Sequence, residues 1–231
     1  EVILEAIKDY WDKADAPKVQ RVIIRNIKDS SQRLAALKAG EIHGMEGVNP
    51  DDVKVVRADP NLQIILRPTN TTGYVAFNYK VKEFQDKRVR QAIAHAINKK
   101  GIVDALYGGT GMVANQFQPP SLWGNNKDLK DFEYNPQRSR DLLKEAGFGQ
   151  GLKDITWEDG RKEPLQFWYM PVSRPYYPNP KEIAEAMAAD LAKAGITVQL
   201  QTTDWAVYLD KRKNGQLPLY MLGWTGDNGD P

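Results

Sequence analysis

The sequence predicts an α/β fold, and its last third carries the clearest alternation of strands and helices. Leu165–Met170, Ile196–Leu200 and Leu217–Trp224 are apolar runs of strand length. A helical pattern that opens at Pro180 and a second one capped by Asp204 separate these strands. Because helices that cross over a sheet connect parallel strands, this order predicts a βαβαβ unit with a parallel sheet.

The first two thirds of the chain alternate less regularly. Apolar and β-branched runs predict strands at Ile3–Ile7, Val19–Ile27, Ile42–Met45, Leu62–Leu66 and Tyr74–Asn78. Capping residues and helical spacing predict helices after Asp29, from Asn49 to Arg57, after Asp86, over Ile102–Leu106 and from Pro136 to Gly147. Gly108–Trp123 is rich in Gly, Pro and Gln, which predicts an extended loop.

The composition excludes several function classes. A chain of 231 residues corresponds to about one and a half domains at ~150 residues per domain. The net charge of +2 provides no basic stripe for a nucleic acid, and no apolar run approaches the ~20 residues of a membrane helix. The absence of cysteine excludes thiol chemistry and Cys-ligated metals, and the isolated His43 and His95 argue against a His-based metal centre or triad. Paired carboxylates for glycoside chemistry stay open as an alternative, although nothing in the sequence points to them. We expect no cofactor and no enzymatic activity.

Three loops are expected to share one edge of the predicted sheet. They follow Met170, Leu200 and Trp224, and ligands of open α/β sheets bind where parallel strands end. The first loop carries Arg174 and the third carries Asp227. An arginine that binds a carboxylate through two hydrogen bonds, together with an aspartate that binds an ammonium, suggests a zwitterionic ligand. The two side chains could equally pair with each other or with solvent, because surface charges usually contribute little.

Other stretches raise alternatives. Asp227–Asp230 offers carboxylates for calcium, but it lacks the alternating ligands and the final Glu of an EF-hand. Gly108–Gly111 superficially resembles a phosphate loop, yet it lacks the G-x-x-x-x-G-K-[ST] pattern and does not join a strand to a helix. The six tryptophans and ten tyrosines could form a carbohydrate platform, although aromatic residues spread along a chain more often line cores and pockets.

Several motifs resemble a known family. Asp86–Ile93, Met170–Asn179 with its Arg-Pro-Tyr sequence, and Gly223–Pro231 are similar to the dipeptide- and oligopeptide-binding family of extracytoplasmic solute receptors, which serve ABC importers. Ser30–Ile42 is similar to a helix-to-strand passage that occurs across this family. The Gly-Trp-Thr-Gly-Asp-Asn-Gly-Asp-Pro run is the most specific motif and resembles the dipeptide-binding branch.

The resemblance implies a periplasmic-binding-protein-like lobe of type II, in the peptide-binding cluster, with an incomplete fold around the βαβαβ core. Members of the family have two lobes around a cleft. Residues 1–79 are therefore expected to form part of the first lobe, and residues 80–231 most of the second. The chain begins at Glu1 without a methionine and stops at Pro231 directly after a glycine-rich turn, so we expect it to be a piece of a longer protein.

The resemblance also implies the site residues. In the dipeptide-binding branch, the aspartate of Gly-Trp-Thr-Gly-Asp holds the α-ammonium of the peptide, and that position is Asp227. The arginine of Arg-Pro-Tyr holds the α-carboxylate, and that position is Arg174. The other expected residues line the pocket or offer backbone groups: Trp224, Tyr176, Thr225 and Gly226.

The implied function is that of the solute-binding component of a peptide ABC importer, which captures dipeptides or short oligopeptides in the cleft between its lobes. Its partners would be the peptide and the membrane permease. It would be a periplasmic or extracytoplasmic monomer, with or without a lipid anchor. The alternatives are a receptor of the same family for a nickel chelate, haem or an oligosaccharide, and an α/β hydrolase. Arg174 and Asp227 favour the peptide, because an uncharged cargo needs neither charge.

Overall fold

The computed structural model describes residues 1–67 and 70–226. Contacts divide the chain into two compact units, Glu1–Asn49 and Pro50–Pro231. None of the helices within residues 1–67 and 70–226 has the length and the apolar composition of a membrane span.

The first unit contains a two-stranded ribbon and one helix. Strands β1 (Val2–Glu5) and β2 (Arg21–Ile24) pair in the antiparallel direction. Helix α1 (Ser30–Lys38) begins after Asp29, whose Oδ1 atom accepts the backbone N–H of Gln32 at 2.8 Å. This bond satisfies one of the free donors at the start of the helix. The strands predicted at Ile3–Ile7 and Val19–Ile27 and the helix predicted after Asp29 are confirmed, although both strands are shorter than predicted.

The second unit contains six strands and six α-helices among its described residues. The strands are β3 (Thr71–Phe77), β4 (Asp154–Thr156), β5 (Lys162–Pro164), β6 (Gln166–Trp168), β7 (Gln199–Gln201) and β8 (Leu219–Thr225). The helices are α2 (Val53–Ala58), α3 (Lys87–Ala96), α4 (Lys99–Leu106), α5 (Pro136–Glu145), α6 (Pro180–Lys193) and α7 (Trp205–Lys213). Short 3₁₀ helices cover Pro50–Asp52 and Lys82–Gln85.

The main sheet of the second unit has the strand order β3-β8-β6-β7. Strand β6 is parallel to both β7 and β8, whereas β3 is antiparallel to β8. Helix α6 connects β6 to β7, and α7 connects β7 to β8. The predicted βαβαβ unit with parallel strands is therefore confirmed, and the fold class is α/β.

One hydrophobic core joins this sheet to the helices of the second unit. Helices α3, α5 and α6 contact one another, and α6 contacts β7. The apolar positions that helical spacing selects are buried in this core, as are the central residues of the strands: Val89, Ile93, Leu142, Leu143, Ile183, Leu191, Phe167 and Met221. The sheet edge that follows β6, β7 and β8 is thereby held on a packed support.

Two predicted strands are wrong. Ile42–Met45 and Leu62–Leu66 are irregular, although their composition is typical of strands. Neither segment pairs with a strand anywhere in residues 1–67 and 70–226, and a strand without a hydrogen-bonded neighbour is not stable in water. Ile65 is accordingly 72% exposed.

The expected boundary near residue 79 falls directly after β3. This strand pairs with β8 along its whole length, from Thr71 opposite Thr225 to Phe77 opposite Leu219. Strand β3 therefore lies in the same sheet as residues that were assigned to the other lobe. The contacts divide this chain into compact units between Asn49 and Pro50. The assignment of residues 1–79 and 80–231 to two lobes stays a prediction.

Candidate functional site

A tight turn presents Arg174 in the loop that follows β6. The backbone N–H of Arg174 donates to the carbonyl of Tyr177 at 3.0 Å, and the N–H of Tyr177 donates to the carbonyl of Arg174 at 3.0 Å. Pro175 occupies the second position of this turn, where its fixed φ favours the bend. Arg174 is exposed at the first position of the turn, so its guanidinium is accessible while its backbone is held at both polar atoms.

The guanidinium of Arg174 lies over the indole ring of Trp205. Its central carbon is 5.2 Å from the ring centroid, which is a cation–π contact. Trp205 is the first residue of α7, and Asp204 caps this helix by accepting the N–H of Ala206 at 2.9 Å. Trp205 also stacks on Tyr208, with ring centroids 5.6 Å apart. The loops that follow β6 and β7 therefore meet at Arg174, as the rule for open α/β sheets predicts.

Tyr107 is hydrogen-bonded to the same turn. Its hydroxyl donates to the carbonyl of Tyr176 at 2.8 Å, although Tyr107 belongs to the end of α4. The ring of Tyr176 meets that of Tyr177 edge-on at 5.7 Å. Burial raises the pKa of the Tyr176 hydroxyl, and the nearby charge of Arg174 partly opposes this shift. Tyr176 is therefore uncharged at neutral pH and can act as a hydrogen-bond donor beside the guanidinium.

The end of β8 also contacts the turn that carries Arg174. The ring of Tyr176 lies against Gly223, and Trp224 is the next residue of the strand. Because successive residues of a strand project from opposite faces, Trp224 points away from the face that contacts Tyr176. Trp224 is 61% exposed and lines a cavity of about 60 Å³ together with Phe117 and Leu122. A shared peptide pocket for Trp224 and Tyr176 stays a prediction.

Thr225 and Gly226 were expected to offer backbone groups. Thr225 is the last residue of β8 and lies opposite Thr71, where its side chain is exposed. The backbone N–H of Gly226 donates to the carbonyl of Asn70 at 3.0 Å. This donor is already used within the protein, so a ligand could be offered the carbonyl of Gly226 but not its N–H.

Asp227 lies outside the described residues, as does the rest of the Asp227–Asp230 stretch. Its expected role as the ammonium ligand stays a prediction, and the calcium alternative at this stretch also lies outside the described part. Elsewhere, within residues 1–67 and 70–226, no cluster of His, Asp and Glu side chains could hold a metal ion.

The structure adds residues that sequence reasoning missed. Trp205 stands in one of the three predicted loops, but no motif marked it as the partner of Arg174. Tyr107 and Gly223 touch the turn from α4 and β8, and no local pattern connects them with residue 174. These contacts join residues that lie far apart in the chain, and a single sequence does not show such tertiary contacts.

Comparisons with known proteins agree with this architecture. The family model of the bacterial extracellular solute-binding proteins, family 5 (middle region), matches residues 1–231. The dipeptide-binding protein of Escherichia coli K12 is 36% identical over 227 residues, which cover 98% of this chain and 40% of that relative. Heme-binding protein A of Haemophilus influenzae is 35% identical, with 98% of this chain and 39% of that relative covered.

A solved structure matches as well, and it carries a peptide. The periplasmic binding protein from Helicobacter pylori in complex with the peptide STSA has a TM-score of 0.78 and 30% identity, and the match covers 99% of this chain and 41% of that one. The fold is therefore that of a periplasmic peptide-binding protein, in incomplete form, because the chain spans about 40% of the length of the curated relatives it matches. The chain belongs to family 5 of the bacterial extracellular solute-binding proteins.

Proposed function

We propose that the protein to which this chain contributes is the solute-binding component of a peptide ABC importer. It captures dipeptides or short peptides in a cleft between two lobes, through their α-carboxylate and α-ammonium. The observation that carries this proposal is the turn at Arg174, which holds an accessible guanidinium at the edge where the strands β6, β7 and β8 end. Relatives named for dipeptide binding and a neighbour with a bound peptide support it.

Arg174 has the properties of a carboxylate ligand. None of the ion pairs within the described residues involves it, so its hydrogen-bond donors are not committed to a described carboxylate. The contact with Trp205 orients the guanidinium without using those donors, because a cation–π contact is made through its face. A guanidinium presents a planar fork of N–H groups that matches a carboxylate.

A second anchor at Asp227 would measure peptide length. Two residues of extended chain span about 7 Å, so charges held at both ends of the ligand discriminate a dipeptide from a free amino acid. Main-chain hydrogen bonds to an extended ligand add affinity without reading its side chains. Binding in this protein involves no chemical step, in agreement with a family of solute-binding proteins.

The remaining parts of the proposal follow from the class of importer. The protein delivers its ligand to a membrane permease, works as a monomer outside the cytoplasm, and is free or lipid-anchored. A haem receptor is the second candidate, since one matched relative is named for haem binding. Haem also carries carboxylates that an arginine could bind, so the ligand test must include it.

Calorimetry with the full-length protein tests the proposal. The ligands are a dipeptide, its C-terminal amide, its N-acetyl form, a free amino acid and hemin. We expect the dipeptide to bind most tightly, because only this ligand satisfies both anchors. If hemin binds while dipeptides do not, the haem receptor is the correct function, and equal affinity for all the peptide forms would refute recognition of the two termini.

Arg174→Ala tests the carboxylate anchor. We expect it to weaken dipeptide binding by about 100-fold or more, because losing one partner of a buried charge pair costs about 3–5 kcal/mol. Its effect on the dipeptide amide should be small, since that ligand has no carboxylate. The matched control is Arg161→Ala, because Arg161 also lies over a tryptophan, at 4.9 Å from the ring of Trp157, but in the β4–β5 hairpin. An unchanged dipeptide affinity in Arg174→Ala would contradict the assignment.

A further inference from the structure

Strands β3 and β8 carry glycines directly opposite each other. Gly73 pairs with Gly223 in the antiparallel register. Opposite residues of an antiparallel pair project from the same face of the sheet. This glycine pair (Gly73 and Gly223) therefore leaves a patch of one face without side chains, at the end of β8 that leads towards the proposed ligand site.

The rings of Tyr176 and Tyr177 fill this patch. A Cβ atom at Gly223 would lie 2.5 Å from Cγ of Tyr176 and closer still to two other carbons of the ring. A Cβ atom at Gly73 would lie 2.9 Å from Cζ of Tyr177 and 3.1 Å from the carbonyl oxygen of Tyr176. Even the smallest side chain at either position would thus push the tyrosines off the sheet.

Movement of the tyrosines must also move Arg174. Tyr177 makes both backbone hydrogen bonds that close the turn with Arg174, each 3.0 Å long. Tyr177 is itself only 4% exposed, so it has little room to rearrange. Tyr107 adds the hydrogen bond to the carbonyl of Tyr176 at 2.8 Å. The position of the guanidinium therefore depends on how closely the rings of Tyr176 and Tyr177 approach the glycine pair.

We propose that the glycine pair and Tyr107 are positioning residues that set the selectivity for a free peptide carboxylate. They do not touch the ligand. They act by holding the turn Arg174–Tyr177 against the sheet, so that the N–H groups of the Arg174 guanidinium point towards the ligand carboxylate. This inference rests on the proposed function of Arg174. A packing role alone would alter stability, whereas a positioning role alters the discrimination between a carboxylate and its amide.

The test uses the full-length protein and the ratio of its affinities for a dipeptide and for the dipeptide amide. We expect Gly223→Ala to reduce this ratio about tenfold or more, because a displaced guanidinium loses part of its hydrogen bonding to the ligand carboxylate. The matched control is Gly149→Ala, because a Cβ atom there makes only an ordinary contact of 3.6 Å with Lys144. The control should leave both the ratio and the melting temperature unchanged.

A double-mutant cycle tests whether the contact with the Tyr176 ring causes the change in the affinity ratio. Tyr176→Ala removes the ring that an alanine at position 223 would strike, so in that background we expect Gly223→Ala to change the ratio less than about twofold. An equal effect in both backgrounds, or a folded Gly223→Ala protein with an unchanged ratio, would overturn the inference. If Gly223→Ala is too unstable to measure, Tyr107→Phe tests the inference, because this substitution deletes one hydroxyl and adds no atoms. A reduced affinity ratio in Tyr107→Phe supports the inference, and an unchanged ratio overturns it.

The affinity ratio of the wild-type protein distinguishes a failure of this inference from a failure of the proposed function. A wild-type ratio near one would contradict carboxylate recognition by Arg174, and the positioning role would fall with it. A high wild-type ratio that persists in Gly223→Ala and in Tyr107→Phe would contradict the positioning role alone.

Discussion

Tyr208 illustrates how much a single buried hydroxyl can contribute to the support of the site. The residue is fully buried in α7, and its hydroxyl donates to the carbonyl of Met221 at 2.6 Å while lying 3.2 Å from the carbonyl of Trp168. These carbonyls belong to the neighbouring strands β8 and β6. Burial raises the pKa of the Tyr208 hydroxyl, so it stays protonated and continues to donate well above neutral pH.

Tyr208→Phe should therefore destabilise the protein without changing its shape. We expect the free energy of unfolding to fall by about 1–3 kcal/mol, because the substitution removes the hydroxyl that donates to the buried carbonyl of Met221. Urea denaturation measures this change. The control is Tyr79→Phe, because Tyr79 is 57% exposed, and its loss should stay within about 0.5 kcal/mol. Equal stability of Tyr208→Phe and Tyr79→Phe would show that the buried hydroxyl contributes nothing.

Residue-scale prediction from sequence succeeded where chain position alone decides the outcome. Arg174 follows β6 and Trp224 lies one residue before the end of β8, so the order of strands is enough to bring both towards one edge. Prediction from sequence failed where the register between two strands determines which residues lie opposite each other. The pairing of Gly73 with Gly223 depends on how β3 aligns with β8, and no local pattern in either strand contains that information.

At the scale of elements, α6 is tied to α4 by a buried carboxylate. Asp190 is 6% exposed, and its side chain accepts the backbone N–H of Asn98 at 3.0 Å. The side chain of Asn98 in turn caps α4 by accepting the N–H of Gly101 at 3.0 Å. Lys193 donates to Asp190 at 2.8 Å, and this hydrogen bond raises the pKa of Lys193. Asp190 thus connects the start of one helix with the last turn of another.

Removing this carboxylate should cost more than removing an exposed one from the same helix. We expect Asp190→Ala to lower the free energy of unfolding by about 1–3 kcal/mol, because the backbone N–H of Asn98 loses its acceptor in a partly buried place. Glu185→Ala is the control, since its 3.9 Å ion pair with Lys181 is exposed and should contribute less than about 1 kcal/mol. Thermal or urea denaturation compares the two, and a larger loss in Glu185→Ala would contradict this account.

Most helices and the parallel strands were predictable because their signals are local. Caps such as Asp29 and Asn135 do mark helix starts, and each accepts a backbone N–H of the first turn at 2.8 Å. Ile42–Met45 and Leu62–Leu66 were mistaken for strands because composition does not report whether a pairing partner exists. The hairpin β4–β5 was missed, although Asp159-Gly160 between its strands is a strong turn signal and Gly160 adopts a φ of +87°.

At the scale of the whole molecule, the two compact units differ in how much apolar surface they bury. Leucines and isoleucines of the second unit reach full burial in its core. The ribbon of the first unit instead exposes apolar side chains from both of its strands, each between 43% and 54% accessible: Val2, Ile3, Leu4, Val22, Ile23 and Ile24. A two-stranded ribbon with so little burial is marginally stable in water, because its backbone hydrogen bonds are open to solvent.

Amide hydrogen exchange on the 231-residue chain should reveal this difference directly. We expect the amides of β1 and β2 to exchange within roughly tenfold of the rate of an unfolded chain, because an exposed ribbon opens locally at little cost. Amides of β6 and β8 should exchange only through global unfolding, since these strands lie in the sheet that joins the core. The exchange of α1 provides an internal reference within the first unit, because its Asp29 cap and buried Leu34 should slow its amides relative to those of the ribbon. Equal protection of β1 and β8 would contradict the view that stability is concentrated in the unit that carries Arg174.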